Sequence, residues 1–168
     1  TYAEAVTIMM RVLGYEPSAQ ANGGFPTGYL VSAGSAGLFK GGISAPTNAI
    51  ATRGIVAQLA FNALTINLME RTGFGVNETY EVVDKTLLYN KLDVEKLTGQ
   101  VVATSETTLS GQSSLKADQV QIKVEGTTTT YKTSLDASPF IARNVVFYVQ
   151  EQANGEKEII LITNNKNK

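Results

Sequence analysis

Apolar positions recur at helical spacing in the first third of the chain and alternate with polar ones in the last third. Val6, Met9, Met10 and Leu13 fall on one face of a helix opened by Thr1. Glu4 stands three residues after that cap, which is the reciprocal capping-box pattern, and Gly14 is a natural stop. Residues 15–26 carry Pro17, Gly23, Gly24 and Pro26 and read as loop. A second helix is expected over 27–37, with Tyr29, Leu30, Ala33 and Leu38 inward. Its many small residues suit close approach by a neighbouring helix. Gly37 can end it in the left-handed conformation, and Gly41-Gly42 permit a sharp turn. Ile43 to Ala51, with Pro46, is an extended link. Thr52 then caps a third helix expected from Arg53 to about Met69, with Val56, Leu59, Ala60, Ala63 and Leu64 as its apolar face.

The helical pattern breaks around Arg71-Thr72-Gly73-Phe74-Gly75. Glu78 to Val83 reads as extended, and Asp84 can cap a short helix with Leu87, Leu88 and Leu92 inward. From Thr98 strands and turns take over, near 99–107, 119–125, 128–133, 144–150 and 157–163. Val120, Ile122 and Val124 alternate with Gln119, Gln121 and Lys123, the mark of a half-buried strand. Gly126-Thr127 and Asn154-Gly155 mark two hairpin connections, and Ser134–Arg143 crosses between the hairpins. The expected class is α+β. A helical segment (1–70) is followed by a connecting segment with a short helix (71–97) and a small antiparallel five-stranded β barrel or sandwich (98–168). The tail from Asn164 is polar and reads as frayed.

Composition narrows the chemistry. The 168 residues include 14 basic and 15 acidic side chains, a net charge of -1, which is no electrostatic footprint for nucleic acid. No run of apolar residues is long enough to insert in a membrane as a helix. Cys, His and Trp are absent, which removes the usual ligands of structural zinc and any triad with a histidine base. Asp84, Asp93, Glu95, Asp118 and Asp136 show no paired spacing of a glycosidase or calcium loop and read as caps and surface. Asn77-Glu78-Thr79 matches a glycosylation acceptor by spelling only. No catalytic residue, cofactor or metal site is expected. Low charge with many Thr, Ser, Asn and Gly suits an exported surface protein. Thr1 stands in mid-pattern rather than as an initiator Met, so the chain reads as a piece of something longer.

An internal repeat joins the first and third helices. Thr1–Leu13 superposes on Thr52–Leu64 with a threonine cap, a small residue two further on and apolar positions in the same phase. With Phe25-Pro26-Thr27-Gly28-Tyr29-Leu30 and Ala36-Gly37-Leu38-Phe39-Lys40-Gly41-Gly42, this resembles the S-layer homology family over residues 1 to about 68. Thr1-Tyr2-Ala3-Glu4 looks like the end of one repeat, and Phe25 through Ile55 like a second. The β segment is similar to domains that follow such repeats in clostridial-type surface proteins.

The resemblance implies an extracellular, cell-envelope location and attachment to a secondary cell-wall polymer. In that family the arginine at the helix start contacts an acidic, pyruvylated sugar, for which a planar guanidinium and a helix N-terminus are apt donors. Carried over, only Thr52, Arg53 and Gly54 occupy that place. Tyr2 stands where the first repeat would have its arginine, and Ile55 where the second would have its acidic residue. Two readings of Arg53 stay open: a sugar contact, or a solvated residue in a first helical turn. Tyr131 and Tyr148 could likewise be a sugar-stacking surface or strand packing. The alternative to wall attachment is a structural module that contacts another surface-layer protein or self-associates, with β-edge pairing of the second domain as one route.

Overall fold

In the computed structural model the chain is described over 1–73, 75, 78–109, 111 and 114–165. The Asn77 acceptor and the last three tail residues lie outside the described residues. The chain divides into two compact units, Thr1–Asn90 and Lys91–Lys168.

The first unit is built on four helices. α1 (Tyr2–Val12) carries the expected capping box, with the Glu4 N–H donating to Thr1 Oγ1 at 3.4 Å. Its buried face is Tyr2, Ala5, Val6 and Met10, and Leu13 follows it into the core. The stretch expected to be loop contains α2 (Glu16–Ala21). Pro17 does not forbid this helix, because it sits in the first turn where its missing N–H would have no partner. α3 (Thr27–Ala36) ends at Gly37, whose φ of +82° is the left-handed stop. Gly28 sets how closely α3 meets α2: a Cβ there would run into the backbone of Ala19 and Asn22. Tyr29, Ala33 and Leu38 are fully buried.

α4 is shorter than its apolar pattern implies, spanning Arg53–Ala63 instead of running to Met69. Leu59 and Ala63 are buried, Ala60 and Leu64 are half-buried, and Val56 is exposed. Asn67–Arg71 (β1) instead pairs antiparallel with Tyr80–Thr86 (β2), and the Met69 N–H donates to the Leu13 carbonyl at 2.9 Å. Those backbone partners outweigh the helical spacing of Leu68 and Met69. Asp84 lies inside β2, three residues before the helix it was expected to cap. Thr86 Oγ1 takes that role, accepting from the Tyr89 N–H at the start of α5 (Leu87–Leu92). Leu88 is buried and Leu92 is exposed.

The second unit is a closed five-stranded barrel in the order β3-β4-β5-β7-β6: Val94–Thr104, Gln119–Val124, Thr127–Thr133, Asn144–Glu151 and Lys157–Asn164 numbered β3 to β7. The five expected strands are all present. β3 starts earlier than its pattern suggests because the long strand β6 pairs with it from Val94. Four pairings are antiparallel, and the barrel closes through a short parallel one, Lys132↔Glu158 and Thr133↔Ile159. Its interior holds Val101, Val120, Ile122, Val145, Phe147 and Ile159. Tyr131 is also inside, edge-on to Phe147 at 5.4 Å between ring centres, so it is packing and not a sugar-stacking surface. A 3₁₀ turn at Ser138–Phe140 lies in the crossing segment between the hairpins.

Candidate functional site

The sequence singles out the start of α4, and the local chemistry there is simple. Thr52 is extended, with φ −70° and ψ 158°, and its Oγ1 accepts from the Ile55 N–H at 3.3 Å. Arg53 is the first helical residue and Gly54 the second, and both are exposed. The first turn of α4 holds no acidic side chain. Among the described residues the Arg53 guanidinium has no carboxylate partner, in contrast to Arg11 and Arg71, which pair with Glu16 and Glu78. A solvated, unneutralised cation beside a positive helix end is electrostatically suited to an anion.

The link before Thr52 is held in place by the other half of the repeat. The Tyr2 N–H donates to the Ala49 carbonyl at 2.8 Å, and the Ala3 N–H to the Thr47 carbonyl at 3.1 Å. These are N–H groups of the first turn of α1, left without partners inside their own helix. The link therefore satisfies one helix start and leads directly into the next.

At the corresponding place in α1, Tyr2 is buried and tilted against Phe39, 6.2 Å between ring centres. The first helix start is thus used for packing. Glu4 serves its cap, accepting from Thr1 Oγ1 at 2.8 Å. Thr52, Arg53 and Gly54 are contiguous by necessity, and the other candidates from the sequence reading, Tyr131 and Tyr148, belong to the second unit.

Two polar arrangements in this unit are not singled out by sequence. Asn62 is buried on the inner face of α4, and its Nδ2 donates to the carbonyls of Leu38 (2.8 Å) and Lys40 (2.9 Å). It fastens the turn after α3 to α4. Its only sequence signal is a lone amide between the core positions Leu59 and Ala63. Tyr29, whose ring is fully buried, donates from its hydroxyl to Glu16 Oε1 at 2.9 Å and accepts from Arg11 Nε at 3.2 Å. The Tyr29 hydroxyl, more than the Arg11 charge, holds the Glu16 carboxyl below the usual glutamate range. No sequence spacing announces this trio, because its members come from three helices.

A groove in the same unit is lined by Tyr15, Ser18, Ser32, Lys40, Thr65 and Asn67, among others. Ser18 and Ser32 hydroxyls meet at 3.1 Å, and the Tyr15 hydroxyl donates to the Asn67 carbonyl at 3.0 Å. Much of its polar lining is therefore committed internally. Among the described residues no group of three or more Asp or Glu could hold a metal ion, and no helix is long and apolar enough to cross a membrane.

Comparison with known proteins adds the setting. The chain is 32% identical over 154 residues to a surface layer protein of Brevibacillus choshinensis, a match covering 83% of this chain. It is 42% identical over 94 residues, 56% of this chain, to a middle cell wall protein of Brevibacillus brevis. The relatives are wall and surface-layer proteins. The matched stretches are 13% and 8% of those proteins' own lengths, so the chain spans a small part of either. No family model and no solved structure matches it. The expected cell-envelope setting is the one these relatives have by name.

Proposed function

We propose that this chain is a non-catalytic module of an exported bacterial surface protein, attached to the cell wall through an acidic secondary polymer. The similarity to a surface layer protein over 83% of the chain carries this reading, since it includes helical and β units together. The S-layer-homology-like helix start at Thr52-Arg53-Gly54 supports the polymer as ligand, with Arg53 exposed and without a carboxylate partner among the described residues. Arg53 would offer two parallel donors to a sugar carboxylate, and the helix end would add its dipole. Arg53→Ala should lower retention on purified walls by about tenfold or more, equivalent to roughly 1.4 kcal/mol. Arg53→Lys should fall between, because an ammonium keeps the charge and loses the fork. Equal retention by all three proteins would remove Arg53 from the contact.

A second reading is favoured by one observation. Tyr2 is buried at the place where the first repeat would need an exposed arginine, so only one of two helix starts is equipped for an anion. On that reading the chain serves mainly as an assembly module, with contacts to other surface-layer protein.

A further inference from the structure

The groove of the helical unit encloses about 540 Å³, inside the range of roughly 300–1,000 Å³ in which small ligands are held. Its walls are fixed by hydrogen bonds within the protein. Asn62 clamps the Leu38 and Lys40 carbonyls and so sets the turn that carries Lys40. The Ser18 and Ser32 hydroxyls join α2 to α3, and the Tyr15 hydroxyl holds the Asn67 carbonyl at the start of β1. These bonds leave the side chains of Ser35, Lys40 and Asn67 lining the groove with no partner among the described residues. Together they offer a hydroxyl, an ammonium and an amide on walls that are already in place. Val82 of β2, itself exposed, adds an apolar side. No carboxylate lines the groove, although the chain has 15 acidic residues. The cavity of the second unit is the opposite case, with Asp118, Glu156 and Glu158 around Lys132.

We propose that this groove is a second glycan-binding site, which takes one sugar unit bearing a negative group. Lys40 has no internal carboxylate to neutralise it and meets that charge. The Ser35 hydroxyl and the Asn67 amide both donate and accept, as ring hydroxyls require, and Val82 covers the apolar C–H face of the ring. A sugar with a free ammonium is disfavoured, because the lone charge in the groove is of the same sign. The site is separate from the start of α4. Arg53 opens that helix, and Asn62, which holds the Lys40 turn, stands nine residues further on, about 13–14 Å along the axis. With one exposed charge and few donors the contact is weak, with a dissociation constant on the order of 1 mM. A polymer that reaches both places gains from holding two weak contacts on one chain. The ligand class rests on the polymer reading above, whereas the groove itself makes no use of Arg53.

The test is a titration of the full chain with glucuronate, read from backbone amide chemical shifts, with glucose and inorganic phosphate as the other two probes. The expected result is saturable movement at Ser35, Lys40 and Asn67 with glucuronate, weaker movement at the same amides with glucose, and little with phosphate. Lys40→Gln keeps the groove and removes its charge, so it should weaken glucuronate by about threefold to fivefold and leave glucose unchanged. Ser35→Leu, at an exposed helical position, should fill the groove and abolish both. Still amides with glucuronate in the native chain would overturn the site, whatever the variants do. Equal movement with phosphate would overturn it too, as contact with a bare anion only. Arg53→Ala should leave the titration unchanged. A silent groove alongside Arg53-dependent wall retention refutes this site alone, and the reverse result refutes only the anchor at Arg53.

Discussion

Asn62 offers the sharpest test of how the helical unit is held together. Its amide donates to two main-chain carbonyls, those of Leu38 and Lys40, in the turn that follows α3. Asn62→Ala deletes both bonds and leaves the Leu38 carbonyl facing a buried gap. Each bond contributes about 0.5–1.5 kcal/mol net, and an orphaned buried carbonyl adds a desolvation cost of about 1–3 kcal/mol. The sum is a loss of roughly 2–6 kcal/mol. With a urea dependence of about 2 kcal/mol per molar, the helical transition followed by circular dichroism should move down by roughly 1–3 M. Asn62→Asp is a stricter probe of the same bonds. At neutral pH a carboxylate would face the two carbonyl oxygens with no proton to give, so it should cost more than alanine. Its folded-state pKa would be raised, so its deficit relative to alanine should shrink as pH falls and the acid can donate one bond. A shift below about 0.3 M for Asn62→Ala, well under one hydrogen bond, would show that the turn is not held by Asn62.

Three further outcomes follow from the same packing. Leu59 is fully buried on α4, so Leu59→Ala should cost roughly 2–5 kcal/mol in denaturant unfolding; a loss well under 1 kcal/mol would mean that α4 presents a different face to the core. Gly28→Val would drive a branched side chain into the Ala19 backbone, and calorimetry should show the helical transition lowered or lost while the barrel transition is retained; an unchanged helical transition would refute the close approach of α2 and α3. The Glu16 carboxyl is depressed by the Tyr29 hydroxyl, so its contribution is present above the ordinary glutamate pKa and is lost as pH falls through the lower folded value. Glu16→Gln should flatten the fall in stability between about pH 5 and pH 3, and an unchanged acid limb would exclude the Tyr29 contact.

How far these features are legible in the sequence varies with the range of the interaction. Caps are readable because they are local: Thr1 with Glu4, Thr52 with Ile55, and the left-handed Gly37 each depend on a few neighbouring residues. The barrel strands are readable because alternation such as Val120-Gln121-Ile122 is written into each strand. The end of α4 is not, since Leu68 and Met69 continue a helical spacing while the Leu13 carbonyl and strand β2 draw that backbone into an extended form. α2 is hidden because Pro17 reads as a breaker, when its place in the first turn makes it neutral. Asp84 is a plausible cap by type, but pairing with β1 places it inside a strand, and Thr86 caps instead. The parallel closure of β5 on β7 has no sequence signal at all. At the candidate site the sequence can name Thr52, Arg53 and Gly54, but only packing against Phe39 reveals what Tyr2 does in place of an arginine.

Attachment to the wall through its acidic polymer is open to a direct test: co-sedimentation of the chain with purified Gram-positive cell walls, before and after acid extraction of the secondary polymer. If the polymer is the anchor, the chain pellets with intact walls and stays in solution with extracted ones. A chain that stays in solution with both preparations, or pellets equally with both, would contradict polymer anchoring.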